Sequence, residues 1–371
     1  MSIHVHDFIE PLSGTKFGSL DGGVKLNACQ PTRNVESLIG RMKGIQGFRN
    51  SCYLDATLYA MFGFVRADHV YKLRQLLERV LPEMPGLTSD EKDPEEVFIA
   101  LFDKVLQVEP FLLLRNVTEG AVDPDYICPL ITEDLWSGEK RHLITVQSIV
   151  ERSLFASNIQ FAKMSDPSLQ MVEKIPEPKV LILQLPRYGQ QKVFGKFVPQ
   201  QELDITHLVT YCGCCYEKAH AGFDHRPQPI RRSSQTEASS SLSRRSQVIP
   251  QRKLQLAVVL CIEMSHYVTC VRTITANKWL MFDSMADRVG LSDGYNVPEV
   301  KQCEKVSQWL SDSGISKLRT NIEKDGRLPP EVETDPQLMR LLSDCYVCIY
   351  TAEEQKERKL DAIALAARFF A

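Results

Sequence analysis

The chain has no excess of either charge: 44 basic against 47 acidic residues leave a formal net charge of -3. That balance gives no argument for a nucleic-acid partner or an anionic membrane surface. No segment approaches the ~18 consecutive apolar residues that a bilayer span requires, so no membrane span is expected. The start, Met1 to Asp7, lacks the basic and apolar stretches of a secretory signal, and a cytoplasmic location is expected. No internal repeat is present. The 11 cysteines are an odd number scattered through 371 residues, which argues against a disulfide framework and for reduced thiols. With 43% hydrophobic and 25% charged residues, the composition is that of one large or two medium globular domains.

What is present centres on Gly44 to Phe64. A turn-prone Gly/Asn/Ser run ends at Cys52 and passes into an apolar segment in which Leu54, Leu58, Met61 and Phe62 are spaced for one helix face. Asp55 and Thr57 point elsewhere in that reading. A helix starting near Ser51 puts Cys52 in its first turn, where unpaired N–H groups and the helix dipole favour thiolate over thiol. The alternative is a small residue simply buried at a helix start.

Further on, Tyr71 to Val80 reads as an amphipathic helix closed by Pro82 and Pro85. Asp93-Pro94-Glu95-Glu96 supplies an N-cap, a first-position proline and acidic first-turn residues, with Asp93 and Glu96 at capping-box spacing. Val97, Leu101, Val105 and Leu106 continue that helix as an apolar stripe, and Thr145 to Phe155 is another helical stretch. Residues 44–165 are therefore expected to be mostly helical. The period then changes. Lys179–Leu185, Lys192–Val198, Gln201–Ile205, Leu254–Ile262, His266–Thr273, Lys278–Asp283 and Asp344–Tyr350 read as strands. Two segments of different type suggest two lobes with a cleft between them.

Between the strand-rich stretches, Cys212, Cys214 and Cys215 lie near His207, His220 and His225. A zinc site on these cysteines lacks a second cysteine pair to complete it, so no cofactor is expected. Residues 212–252 become rich in Ser, Arg and Gln and are expected to form a flexible insert. Residues 1–40, with scattered glycines and prolines, read as a partly disordered extension.

A cysteine nucleophile needs a base and a group that orients the base. His266 opens one expected strand and Asp283 closes the next, 17 residues later. Adjacent antiparallel strands would bring the two side by side. Each has a plainer reading, as a structural histidine and as a turn residue bonding its own backbone. Cys52, His266 and Asp283 together make a Cys/His/Asp set.

Gly44-Ile-Gln-Gly-Phe-Arg-Asn-Ser-Cys-Tyr-Leu-Asp55 resembles the cysteine box of the ubiquitin-specific proteases. Ser265-His-Tyr-Val, followed by Trp279-Leu-Met-Phe-Asp-Ser284, resembles their histidine box. Lys92 to Glu96 resembles an acidic motif of the first lobe, and Leu181 to Tyr188 a palm strand. The Asn50-to-Asp55 string, residues 282–288 and Cys345 to Tyr350 resemble the cylindromatosis-type branch of that family.

The resemblance implies an α+β, papain-like fold with a helical thumb at about 44–165 and a β-rich palm at about 175–210 and 254–351. The catalytic domain would span 41–351, with a reduced fingers or B-box insert and a tail at 352–371. It implies hydrolysis after the C-terminal glycine of ubiquitin, with linear and lysine-sixty-three-linked polyubiquitin on signalling proteins as substrates, damping inflammatory signalling. For such a substrate Asp93 and Glu96 could pair with arginines of the ubiquitin tail, although a capping role explains both equally well, and Tyr267 could line the channel or belong to the core. The family's usual asparagine five residues before the nucleophile is Gly47 here, so Gln46 or Asn50 would assist the Cys52 N–H as oxyanion donors. Ser265 stands where glycine is usual. The alternative to an enzyme is a ubiquitin-binding adaptor of the same fold.

Overall fold

The computed structural model describes residues 35–45, 47, 50–62, 67–116, 122–130, 143–156, 159–161, 180–186, 196–209, 252–273, 278–287 and 296–352. Short strand β1 (Gly40–Arg41) precedes helices α1 (Cys52–Phe62), α2 (Ala67–Val80) and α3 (Pro94–Ala100), the last running on as a π-helical turn, Leu101–Val105. Strands β2 (Leu112–Asn116), β3 (Val122–Asp125), β4 (Cys128–Pro129) and β5 (Ile144–Thr145) lead to α4 (Val146–Ala156). Then come β6 (Ile159–Phe161), β7 (Val180–Gln184), β8 (Phe197–Val198), β9 (Glu202–Asp204) and α5 (Thr206–Val209). The long strands β10 (Lys253–Glu263), β11 (His266–Arg272), β12 (Trp279–Asp287) and β13 (Val297–Gln302) follow. Helices α6 (Val306–Trp309), α7 (Asp312–Asp325), α8 (Pro330–Glu333) and α9 (Pro336–Asp344) precede the final strand, β14 (Cys345–Ala352).

One sheet organises these parts, in the order β1-β13-β12-β11-β10-β14-β7-β4 with β9 also on β10. Its pairs are antiparallel except β4 with β7. Alternation along the strands sends side chains to two separate cores. Leu181, Leu183, Val259 and Cys261 join α4 and the helices after residue 305 on one face. Val180, Ile182, Val258 and Leu260 join α1, α2 and α3 on the other. The sheet is thus filled on both sides, which explains its nearly unbroken apolar strands.

The expectation of a mostly helical 44–165 is corrected, because β2 to β6 fall inside it. Leu112–Asn116 is a short apolar run, and such runs do not distinguish strand from helix by period. The β-rich reading of 254–351 likewise missed four helices. Their signals were present: Ser311 caps α7 by accepting from Gly314 N, Gly326 ends it at φ 67°, and Asp335-Pro336 starts α9. Cys212, Cys214, Cys215, the rest of the insert up to residue 251 and the tail beyond residue 352 lie outside the described residues, as do residues 1–34 and the Phe62 side chain.

Helix α1 is not amphipathic in its surroundings. Asp55 and Thr57 are as fully buried as Leu54, because the sheet covers one side of the helix and α3 and the loop before it the other. Thr57 Oγ1 donates to Tyr53 O (2.7 Å), while Thr269 Oγ1 of β11 donates to Ala56 O (2.8 Å). Tyr59 stacks on Phe282 of β12 with centroids 4.1 Å apart. These contacts fix the start of α1 against the two strands that carry His266 and Asp283. Among the described residues no helix is long and apolar enough to cross a membrane.

Candidate active site

Ser51 ends the turn and its carbonyl accepts the N–H groups of Leu54 and Asp55, both at 2.9 Å, so Cys52 opens α1. Its thiol is 3% exposed and donates to Ser265 O at 3.5 Å. Burial pushes the Cys52 pKa up to about 12, and the Asp55 and Glu91 charges add to the rise. The N–H groups of Tyr267 and Tyr53 act the other way. The expected thiolate at the helix start is therefore corrected: desolvation of the charged form outweighs the first-turn dipole.

His266 begins β11 one residue after the carbonyl that holds the thiol. The antiparallel register, Thr269 opposite Phe282, brings the start of β11 beside the end of the paired part of β12. His266 Nε2 lies 2.8 Å from Asp283 Oδ1, and that oxygen also accepts the Met285 N–H at 2.8 Å. An acceptor on Nε2 assigns the ring proton to that nitrogen. Nδ1 is buried without a hydrogen-bond partner, which leaves its lone pair unused. His266 and Asp283 are thus paired, and the Cys52 thiol lies against the carbonyl of the residue before His266.

The others are placed differently. Asn50 Nδ2 donates to Ser89 O at 3.2 Å, tying the cysteine turn to the loop before α3. Gln46 lies outside the described residues. Gly47 donates its N–H to Ser284 O and accepts from Asn296 N, so the turn before Cys52 is sewn to β12 and to the residue before β13. Asp93 caps α3 through Glu95 N (2.8 Å) and accepts the Tyr346 hydroxyl on its other oxygen (2.6 Å). The cap bond goes to the second helical residue, not the third, and Glu96 is exposed. Tyr267 is 1% exposed and belongs to the core beside α1, the second of its two readings.

Two acids near the thiol were not foreseen as part of the site. Glu91 interacts with Ser265 and with the charge of His266, while burial raises its own pKa. Its position directly before the Lys92-Asp93-Pro94 cap was the available signal. Asp55 is fully buried three residues after Cys52 and accepts the Ser51 hydroxyl at 2.6 Å. Burial raises its pKa to about 7, against the Ser51 and Ser284 hydroxyls and the Arg74 charge.

A thiol at a helix start, an imidazole on an adjoining strand and a carboxylate behind it form the set used by thiol hydrolases of the papain type. No family model matches the chain. Pairwise comparison is more specific. The chain is 30% identical to ubiquitin carboxyl-terminal hydrolase CYLD of Mus musculus over 394 residues, covering 85% of this chain and 38% of that protein. It is 32% identical to the Rattus norvegicus protein of the same name and 30% identical to that of Homo sapiens, with the same coverage. The chain carries a domain of the ubiquitin-specific protease family, of the CYLD type. It spans 38% of the length of these relatives.

Proposed function

We propose that the chain is a cysteine-dependent deubiquitinase that hydrolyses the peptide or isopeptide bond after the C-terminal glycine of ubiquitin. The observation that carries this is the His266–Asp283 pair beside Cys52, in a chain similar to proteins named ubiquitin carboxyl-terminal hydrolase. Cys52 Sγ attacks the scissile carbonyl while its proton passes to His266 Nδ1. The tetrahedral oxyanion is held by the Cys52 N–H, with Gln46 or Asn50 assisting. On collapse the C–N bond breaks, and the imidazolium gives its proton to the leaving amine. Water then attacks the thioester, losing a proton to His266, and Cys52 leaves as thiol with the ubiquitin carboxylate released. Asp283 keeps the imidazole in the required tautomer and stabilises its cation.

In this reading Asp93 and Glu96 meet the basic part of the ubiquitin tail through lone pairs not used by the cap. Tyr267 contributes through its backbone, consistent with its N–H near the Cys52 sulfur. Linear and lysine-sixty-three-linked chains on signalling proteins are the proposed substrates, the outcome is restraint of inflammatory signalling, and the cytoplasm is the proposed location. The seven described cysteines are all free thiols, as a reducing compartment would keep them.

A ubiquitin probe with an electrophilic C-terminus tests the activity. Labelling that vanishes in Cys52→Ala supports it, and tight ubiquitin binding without labelling overturns it in favour of an adaptor. The buried, protonated thiol is the observation on that second side. A panel of diubiquitins, one per linkage, tests the chain preference.

A further inference from the structure

The turn that delivers His266 is unfavourable by its own sequence. Glu263 and His266 are paired across the β10–β11 hairpin, leaving Met264 and Ser265 as a two-residue loop. Such loops need positive φ and favour glycine, asparagine or aspartate. Here Met264 sits at φ 53° and is 82% exposed, so it has little packing of its own to offset an unfavourable left-handed backbone. Ser265 O accepts the Cys52 thiol and the next residue is His266. A loop in contact with both reacting groups is therefore held in shape from elsewhere.

The holding group is on α9. Arg340 Nη2 donates to His266 O at 3.1 Å, and Nη1 pairs with the Glu263 carboxylate. One guanidinium thus grips both ends of the turn. Asp344, one helical turn on and 3.3 Å away, fixes the guanidinium in its plane. The Arg340 side chain is 14% exposed and Glu263 is 62% exposed. The ion pair with Glu263 is therefore screened and weak, and the bond to the backbone carbonyl, in a fork of fixed geometry, carries the constraint.

We propose that Arg340 is a positioning residue of the active site: by clamping the Glu263–His266 turn it sets the backbone of the base and thereby the ring against Asp283. The proposal rests on the thiol-hydrolase reading for its kinetic consequence but not for its structural one. The full chain is tested with Arg340→Met, Arg340→Lys and Glu263→Gln, using a fluorogenic ubiquitin C-terminal substrate and the imidazole 15N resonances of His266. Arg340→Met is expected to lower kcat by about ten- to a hundredfold with KM within about twofold, as small misplacements of catalytic groups do. Its His266 signals are expected to shift from one Nε2–H tautomer to a mixture.

Arg340→Lys keeps one donor for the carbonyl and recovers part of both effects. Glu263→Gln leaves kcat within about twofold. If Arg340→Met does not fold, as thermal melting will show, the graded loss in Arg340→Lys carries the test. An unchanged kcat overturns the proposal, and so does a fall in kcat with the His266 tautomer unaltered. If the parent chain does not hydrolyse the substrate, the functional reading fails, while the tautomer measurement still decides the clamp.

Discussion

Asp283 Oδ1 lies 2.8 Å from His266 Nε2 and accepts the Met285 N–H at the same distance. The carboxylate is thus fixed by its own strand before it orients the ring. The pairing of β12 with β13 is regular up to Asp283, opposite Glu299, and shifts register between Asp283 and Asp287.

Asp283→Asn is therefore expected to lower kcat by on the order of 10²–10⁴-fold, because an amide can present a donor to Nε2 and favour the wrong tautomer. KM should change little. His266→Ala removes the base outright and should abolish turnover with the fold intact by circular dichroism. Steady-state hydrolysis of a ubiquitin C-terminal substrate measures both, and near-normal rates in His266→Ala would sink the assignment.

The resting thiol makes a separate prediction. With its pKa at about 12 and 3% exposure, Cys52 should react with iodoacetamide at pH 7.5 much more slowly than an exposed cysteine of pKa ~8.5, since only thiolate attacks. Peptide-resolved mass spectrometry separates it from the other thiols. Rapid alkylation of Cys52 in the ubiquitin-free chain would show instead that an imidazolium–thiolate pair is already formed. Engagement of a ubiquitin tail should speed its labelling by bringing the thiol off Ser265 O and onto Nδ1.

These two cases show what was legible beforehand. The His266–Asp283 pairing could be placed from sequence because antiparallel pairing makes neighbours of a strand's start and the next strand's end, and the two residues occupy those positions. The buried runs Val180–Gln184 and Lys253–Glu263 announced their strands by density alone. Local signals failed where burial decides. The start of α1 suggested a thiolate, but the sheet and the loop before α3 remove the water a thiolate needs. Asp55 was set off the apolar face, and helical spacing does not reveal the second wall that buries it. Arg340 reaches His266 from a segment distant in sequence, which no local pattern could announce.

Asp55 predicts a pH dependence of stability. Its folded pKa, about 7, is raised from an ordinary 3.8, so between those values the folded state holds a proton that the unfolded state has lost. The unfolding free energy then falls as pH rises through this window and levels off above it. Asp55→Asn cannot ionise and can still accept the Ser51 hydroxyl. Melting temperatures of this variant should decline less from pH 5 to pH 7.5 than those of the parent. Equal declines would remove Asp55 as the source.

Gly47 tests whether the missing family asparagine is an accident of this chain or a requirement of its packing. A Cβ at residue 47 would lie 2.8 Å from Ser284 O and 3.1 Å from Met285 Cγ. The first is a backbone atom of β12, held by Gly47 N itself at 3.2 Å, so it cannot retreat without moving the strand next to Asp283. Any side chain there must open the turn, at a cost of about 1–3 kcal/mol, as overpacking usually has. Gly47→Ala should accordingly lower the melting temperature. Gly47→Asn should lower it as well and should not raise kcat, because an amide installed by displacing Ser284 disturbs the acid that orients the base. A more active Gly47→Asn would mean that the turn can yield and that a side-chain oxyanion donor was the element lacking.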